Sequence, residues 1–592
     1  MSVIAQENLI IRQVKVKGNK HFSSSKLKEQ ITLESSYWIK EKIFKKEPVY
    51  FTEKLYNDDV NRLKIFYQKE GYLNVTFEKP ELLVNKKGKV EITIYIKEGE
   101  PVIVSEISYL VDSTYLLGDV LRKRDEKKVL FKTEAAKAKI FRDEAIINDK
   151  LLIAEAFYDQ GYPYTLVKQK LDVDTATNST KVNWFIDRGP IAYFGSTSVN
   201  GNNRVPSKNI LRQRAYKEGD IWSKKKIDQT QKQIYIQGNY RVASVRSQMG
   251  TELLETLPIV IQISEAPRWT TRFGVGYGRE DKFRAFTDIQ YLSFLTKTGR
   301  LNLFAKHSGL EPYNFYLKFS QPSFLFKINT LTLNPFMQRQ NEPGYKLDKI
   351  GYNITFLQNF SEELNTSIGI VYEDVELDTT NINEFELPPE EETFYEKMGV
   401  VFGGIYNNSD PVLDPVQGYS FSFNTKTNGI LTKNEMPFFR ILAEGKTYFG
   451  LRKGVVVALK AKIGGIKRTD GDLFIPVEER FYSGGSHSVR GWSRSDLGPK
   501  DENGTPVGGN SLFETSAEFR FDLGRRFKFS LFTDAGNVWL DSFRYHFNDL
   551  HYSAGAGISI KTPIGPAGLD FARPIFEEEK GWQIHFNIGH TF

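Results

Sequence analysis

Residues 581–592 read "GWQIHFNIGHTF". Trp582, Ile584, Phe586, Ile588 and Phe592 fall on one side of an extended chain, with His590 the exception. Gln583, His585, Asn587 and Thr591 fall on the other. This period-two alternation marks a strand with one apolar face. A soluble sandwich alternates too, but usually over shorter strands. Runs of the same kind fill the chain from about Arg268 onward, among them "RWTTRFGVGYG", "NFYLKFSQPSF", "GYSFSFNTKT", "GVVVALKAKIG" and "FKFSLFTDAGNVW". They are about 9–15 residues long, and a strand that spans a bilayer needs about 9–11. Aromatics at the strand ends fit interfacial girdles. The sequence accommodates about 16 such strands, an all-β antiparallel transmembrane barrel. An even number returns the chain to the side where it started, and closure removes the exposed edges of an open sheet. Connectors 296–299, 360–363, 449–454, 522–526 and 562–566 read as short periplasmic turns. Connectors 377–391, 466–510, 540–549 and 574–581 read as long outer loops.

Composition agrees with a membrane barrel without requiring one. The chain has 592 residues, too many for one core, a net charge of +7 and a hydrophobic fraction of 40%. The basic runs at 40–46, 122–128 and 224–226 read as solvated faces, so no nucleic-acid partner is implied. Aromatics reach 14%, with 44 Phe and 29 Tyr. Cysteine is absent, which excludes disulfides, cysteine metal sites and a cysteine-linked lipid anchor. No run of about 18 apolar residues marks a membrane helix. At the start, Val3 to Ala5 read as the small-residue end of a truncated signal peptide.

Residues 8 to 266 follow a different grammar. A helix end, a glycine and a Tyr-bearing strand recur in "IFYQKEGYLNVTF", "AFYDQGYPYTLVK" and "IYIQGNYRVASV". Repetition at this spacing predicts an array of small domains, each roughly β-α-α-β-β. The expected boundaries are 8–100, 101–189 and 190–266, with the barrel at 267–592 and an inward-folding loop at 466–510.

Inside that loop lies "FYSGGSHSVRGW", residues 481–492. Long connectors of this kind are functional or disordered. Alternation in "SLFETSAEFRF" sets Phe513, Ala517, Phe519 and Phe521 outward, so Glu514, Ser516, Glu518 and Arg520 face the lumen. In "FKFSLFTDAGNVW" the same rule turns Asp534 inward. A guanidinium pairs bidentately with a carboxylate, so Arg490 is expected to clamp the loop to Glu518 and Asp534. Gly484, Gly485 and Gly491 would let the backbone turn beside the wall.

"SGGSHSVRGW" resembles the Val-Arg-Gly-aromatic loop motif of the BamA/TamA superfamily of outer-membrane assembly and secretion barrels, the surface antigen family. "GGNSLFETSAEFRF" (508–521), "FTDAGNVW" (532–539), "NNSDPVLDPVQGYSFSF" (407–423) and the terminal strand resemble further motifs of that superfamily, in the same order. The N-terminal repeats are similar to POTRA domains, and three of them resemble TamA more than BamA. The resemblance implies a loop motif of Gly484, Gly485, Val489, Arg490, Gly491 and Trp492, paired with the lumen acids Glu518 and Asp534. It also implies a seam between the first and last barrel strands, at Gly274, Gly276, Gly278, Gly589 and Phe592. The implied function is assembly of outer-membrane proteins. Clients would be received on POTRA edges and inserted at the seam. A secretion channel for one dedicated polypeptide is the alternative. Implied partners are unfolded outer-membrane or secreted polypeptides, outer-membrane lipid, and inner-membrane or accessory assembly subunits. No cofactor is implied. Enzyme signatures are missing: there is no Gly-x-Ser-x-Gly elbow, no His-Glu-x-x-His, and Glu390 to Glu392 read as solvated charge.

Overall fold

The computed structural model describes residues 9–33, 49–85, 88–278, 280–378, 393–430, 436–452, 454–470, 475–524, 526–562, 565–577 and 581–588. Val3 to Ala5, the basic run 40–46, Glu390 to Glu392, Gly589 and Phe592 lie outside the described residues. The chain divides into two compact units. One comprises Met1–Ser198, Arg214–Thr230 and Val245–Ile261; the other comprises Val199–Gln213, Gln231–Ser244 and Gln262–Phe592.

The N-terminal strands form three small sheets. The first contains β1 (Leu9–Lys17), β2 (Tyr50–Phe51), β3 (Thr76–Phe77), β4 (Glu81–Val84) and β5 (Lys89–Lys97). The second contains β6 (Ile103–Val111), β7 (Leu166–Asp174) and β8 (Ser179–Asp187). The third contains β9 (Tyr193–Asn200), β10 (Tyr240–Ser247) and β11 (Thr256–Glu265). The last strand of each repeat takes an inner place in its sheet. Its alternation explains why: Val90, Ile92, Ile94 and Ile96 are buried in β5, as are Val182, Trp184 and Ile186 in β8. In the first two repeats the opening strand runs parallel to this one. A parallel pair needs a long crossover, and helices supply it.

The helix Glu53–Lys69 starts at Thr52, whose side chain accepts from the Leu55 amide, and buries Tyr56, Leu63 and Tyr67. Helix Asp143–Tyr158 buries Ile146, Ile153 and Phe157. Each helix also buries one carboxylate for a local reason. Asp59 accepts the amides of Thr32 and Leu33, and Asp149 those of Glu134 and Ala135. Thr230 does the same for Ala215. The amides of Leu33 and Ala135 are buried and would otherwise lack a partner.

The signature glycines Gly71, Gly161 and Gly238 all have positive φ. Two of them also mark junctions between repeats. The Gly71 carbonyl accepts from the Val102 amide, and that of Gly161 from Ala192, each at 2.8 Å. A Cβ at Gly71 would lie 2.3 Å from the Phe141 carbonyl oxygen. Glu98 accepts from the His21 amide and the Tyr67 hydroxyl and contacts the His21 ring at 2.7 Å. Burial pushes its carboxyl upward, but these bonds outweigh burial and hold it below the usual carboxylate value.

The remaining strands form one antiparallel sheet of 16 in sequence order. They are β12 (Trp269–Gly278), β13 (Lys282–Leu292), β14 (Arg300–His307), β15 (Tyr313–Pro322), β16 (Asn329–Glu342), β17 (Tyr345–Asn359), β18 (Leu364–Leu377) and β19 (Phe394–Asn407). The rest are β20 (Gly418–Asn428), β21 (Phe438–Arg452), β22 (Val455–Arg468), β23 (Ser511–Leu523), β24 (Phe527–Trp539), β25 (His551–Thr562), β26 (Gly565–Pro574) and β27 (Gln583–Ile588). Phe273, Tyr277, Phe519, Leu531, Ile584 and Phe586 stand exposed on the outer face. Glu514, Glu518, Arg520, Asp534 and His585 are buried on the inner one. Such an inside-out distribution suits lipid outside and polar groups within. No described helix is long and apolar enough to cross a membrane.

The connectors depart from the expected asymmetry. Segment 449–454 is mostly strand, because Gly454 (φ 79°) makes a tight turn and lets β21 and β22 pair up to Arg452 and Val455. The four residues 296–299 are only the tail of a connector spanning 293–299. At the end opposite the start of β12, connectors 279–281, 308–312 and 343–344 are also short. Connector 408–417, at the same end as the start of β12, is long. At the far end the first three connectors are therefore short, and the long ones begin only after β18.

Candidate functional site

The loop between β22 and β23 turns back into the barrel and pairs with itself. Phe481 and Gly509 exchange backbone hydrogen bonds at 2.8 Å, and the Leu497 amide donates to the Ser483 carbonyl. Val489, Trp492 and Leu497 form a small apolar cluster of their own. Gly491 has φ 112°, and a Cβ there would lie 2.8 Å from the Ser553 side chain on β25. The backbone thus approaches the wall as closely as a glycine permits. Gly484 and Gly485 also have positive φ.

Arg490 is 2% exposed. All five of its side-chain N–H groups are used. Nε donates to Asp534 Oδ2 at 2.8 Å, and Nη2 donates to Asp534 Oδ1 at 2.9 Å and to Ser516 Oγ at 3.3 Å. Nη1 donates to Glu518 Oε2 and to Asp570 Oδ2, both at 3.3 Å. The Arg490 amide adds a bond to Asp534. Below the guanidinium, the Phe532 ring centroid lies 3.3 Å away, a cation–π stack. The structure therefore brings Arg490, Glu518 and Asp534 together. It adds Ser516, which alternation had turned inward without naming it a partner, and Phe532 and Asp570, which sequence reasoning did not select. The signal for Phe532 was available, since it shares a face with Asp534. Asp570 sits on β26 between the outward Leu569 and Phe571, where the same alternation would have found it.

A second arginine of the loop reaches the start of the barrel. Arg494 Nε and Nη2 grip Glu342 of β16 at 2.7 and 2.9 Å, and Nη1 donates to Glu280, beside β13, at 3.4 Å. Glu280 also accepts from the Ser486 amide and lies 3.9 Å from His585 of the last strand. Nearby, the β12 glycines face inward. A Cβ at Gly274 would strike the Phe286 ring and one at Gly276 the Arg284 side chain, whereas Gly278 has no neighbour closer than 3.9 Å. Among the described residues no backbone ladder joins β12 to β27. Among those residues, too, no group of acidic and histidine side chains could hold a metal ion.

A 16-stranded barrel with a buried loop arginine, following small α+β repeats, has counterparts among known proteins. The Omp85 superfamily domain matches residues 295–592, half of the chain. The chain belongs to the Omp85 superfamily. The surface antigen variable number repeat, the POTRA family, matches residues 9–99 of this Omp85 protein. It is 22% identical to the outer membrane protein assembly factor BamA of Neisseria meningitidis, over 98% of this chain and 78% of that one. BamA of Nitratidesulfovibrio vulgaris is also 22% identical, over 100% of this chain and 74% of the relative. The crystal structure of Haemophilus ducreyi BamA lacking POTRA domains 1–3 matches with a TM-score of 0.57 at 20% identity. It covers 82% of this chain and 99% of that one, a likeness of fold. This Omp85 chain is an outer-membrane β-barrel protein with POTRA repeats.

Proposed function

We propose that this protein is an outer-membrane assembly factor that receives unfolded clients on its POTRA edges and helps insert them at the seam between β12 and β27. The observation that carries this reading is the seam itself. The two terminal strands share no described ladder, and β12 carries Gly274, Gly276 and Gly278, which contribute little packing. An unpaired strand edge is a template for an incoming strand. In the second repeat, β7 is an edge strand with Leu166 and Val173 exposed, a surface on which an extended client can pair. The BamA relatives support the same reading by their names. Within it, the TamA-like assignment rests on the repeat count alone. Arg490, Glu518 and Asp534 would hold the loop while clients pass, with accessory or inner-membrane subunits and lipid as further partners.

The test is a folding rate. The purified protein is placed in liposomes and a urea-unfolded outer-membrane barrel is added. Appearance of the heat-modifiable, protease-resistant client is followed against empty liposomes and against Arg490→Ala. Acceleration that drops in the variant is expected. No acceleration over empty liposomes, even with a lysate fraction supplying accessory subunits, would overturn the reading in favour of a dedicated secretion channel.

A further inference from the structure

The base of the lumen loop carries its own cluster of buried charge, on different strands from those that hold Arg490. A single 3-10 turn, Val477–Glu479, presents two consecutive carboxylates to the wall. Lys397 of β19, fully buried, donates to Glu478 Oε1 and to Glu479 Oε1, each at 2.7 Å, and lies 3.1 Å from Glu373 of β18. An ammonium has three N–H groups, and three carboxylates surround this one. Lys426 of β20 joins Glu373 at 2.8 Å and also reaches Glu479. Tyr395 donates to Glu478 Oε2 at 2.7 Å, and Arg440 Nε of β21 to the Glu479 carbonyl at 2.9 Å.

Apart from the more exposed Arg494 grip on Glu342 and Glu280, the two buried attachments of the loop are inverted in sign. At the tip the loop supplies the cation and the wall the acids; at the base the loop supplies the acids and the wall the lysines. They share no residue, and the strands are separate: β18–β21 for the base, β23, β24 and β26 for the tip. Each is buried, so breaking either leaves desolvated charge on the wall without its counter-charge. Between them the Phe481–Gly509 pairing holds the loop to itself rather than to either site. We infer that Glu478 and Glu479 form a second, independent anchor, with Lys397 as its positioning residue. The tip of the loop can then leave its acids while the base stays seated. This holds whether the barrel assembles or exports its clients.

The absence of cysteine allows a direct test. Single reporters Ser488→Cys at the tip and Val477→Cys at the base are introduced into the full chain, folded in liposomes. Maleimide labelling rates are measured in the parent, Arg490→Ala, Lys397→Met and Glu478→Gln backgrounds. Folding is checked by heat-modifiable migration. Arg490→Ala should speed labelling at the tip by about tenfold or more and leave the base within about twofold. Lys397→Met and Glu478→Gln should do the reverse. Glu478→Gln, which leaves the wall intact, decides the matter if Lys397→Met does not fold. The inference is overturned if Arg490→Ala raises both rates together, because the loop then leaves as one body. It is equally overturned if the folded base variants leave the Val477→Cys rate unchanged.

Discussion

The repeats and the barrel both bury carboxylates, for opposite purposes. In the repeats, Asp59 and Asp149 lie in apolar cores and serve amides within about one helix and loop of themselves. In the barrel, Asp534 and Glu518 lie on the wall of a polar interior and serve a guanidinium carried by a loop. The first arrangement completes local structure, while the second fixes one segment across a cavity. A buried acid is thus informative about role only when its partner is known: a backbone amide points to folding, a distant loop's side chain to positioning.

The largest effect should separate the two directly. Arg490→Ala removes the guanidinium that Asp534 and Asp570 share, and breaking a shielded pair costs about 3–5 kcal/mol, reduced by water in the lumen. The urea midpoint of the heat-modifiable band should fall accordingly. A cycle with Asp534→Ala should be strongly non-additive, and additive costs would break the clamp. Next in size, Asp59→Ala should cost about 1–3 kcal/mol, the penalty for stranded buried amides. Hydrogen exchange should accelerate at Thr32 and Leu33 while the barrel is unaffected.

Acid should then divide the repeats from each other. Glu98 is held below its ordinary value of 4.5, so its contribution is full above that value and is lost as pH falls through the native one. Asp149 is raised above 3.8, by burial in first place, with the amides of Glu134 and Ala135 opposing. Its contribution is full below 3.8 and is lost as pH rises through the native value. Acidification should therefore loosen the first repeat at the His21 amide and stabilise the core of the second against opening, read by exchange of its helix Asp143–Tyr158 corrected for intrinsic rates. Glu98→Gln should remove the first response. The smallest effect belongs to Lys181 and Glu106, an exposed pair at 2.8 Å, where Lys181→Ala should leave stability unchanged within error.

Alternation made much of this legible. A period of two identified the barrel, its strand number and the inward acids Glu518 and Asp534, because lipid and lumen impose opposite demands on neighbouring residues. The helix-end glycines revealed the repeats for an equally local reason, since a positive φ is a property of one residue. The base anchor was invisible for want of register. Glu373, Lys397, Lys426 and Glu478 come together only when three strands and a turn are aligned, and nothing near any one of them in sequence names the others. Connector lengths misled for a related reason: Phe449–Arg452 looks like a turn but finds partners across the ladder.

The inverted anchors also set the character of an emptied pore. With the loop withdrawn, Lys349, Lys397 and Lys426 would lose Glu478 and Glu479 and keep Glu373 on one stretch of wall, while Asp534 and Asp570 would lose the Arg490 guanidinium on another. The bore would gain positive charge along β17–β20 and negative charge along β24–β26, with Glu342 and Glu280 also bared where Arg494 had held them. Small ions would see little net selectivity. Withdrawing the loop would thus change the charge pattern of the wall as well as the width of the bore.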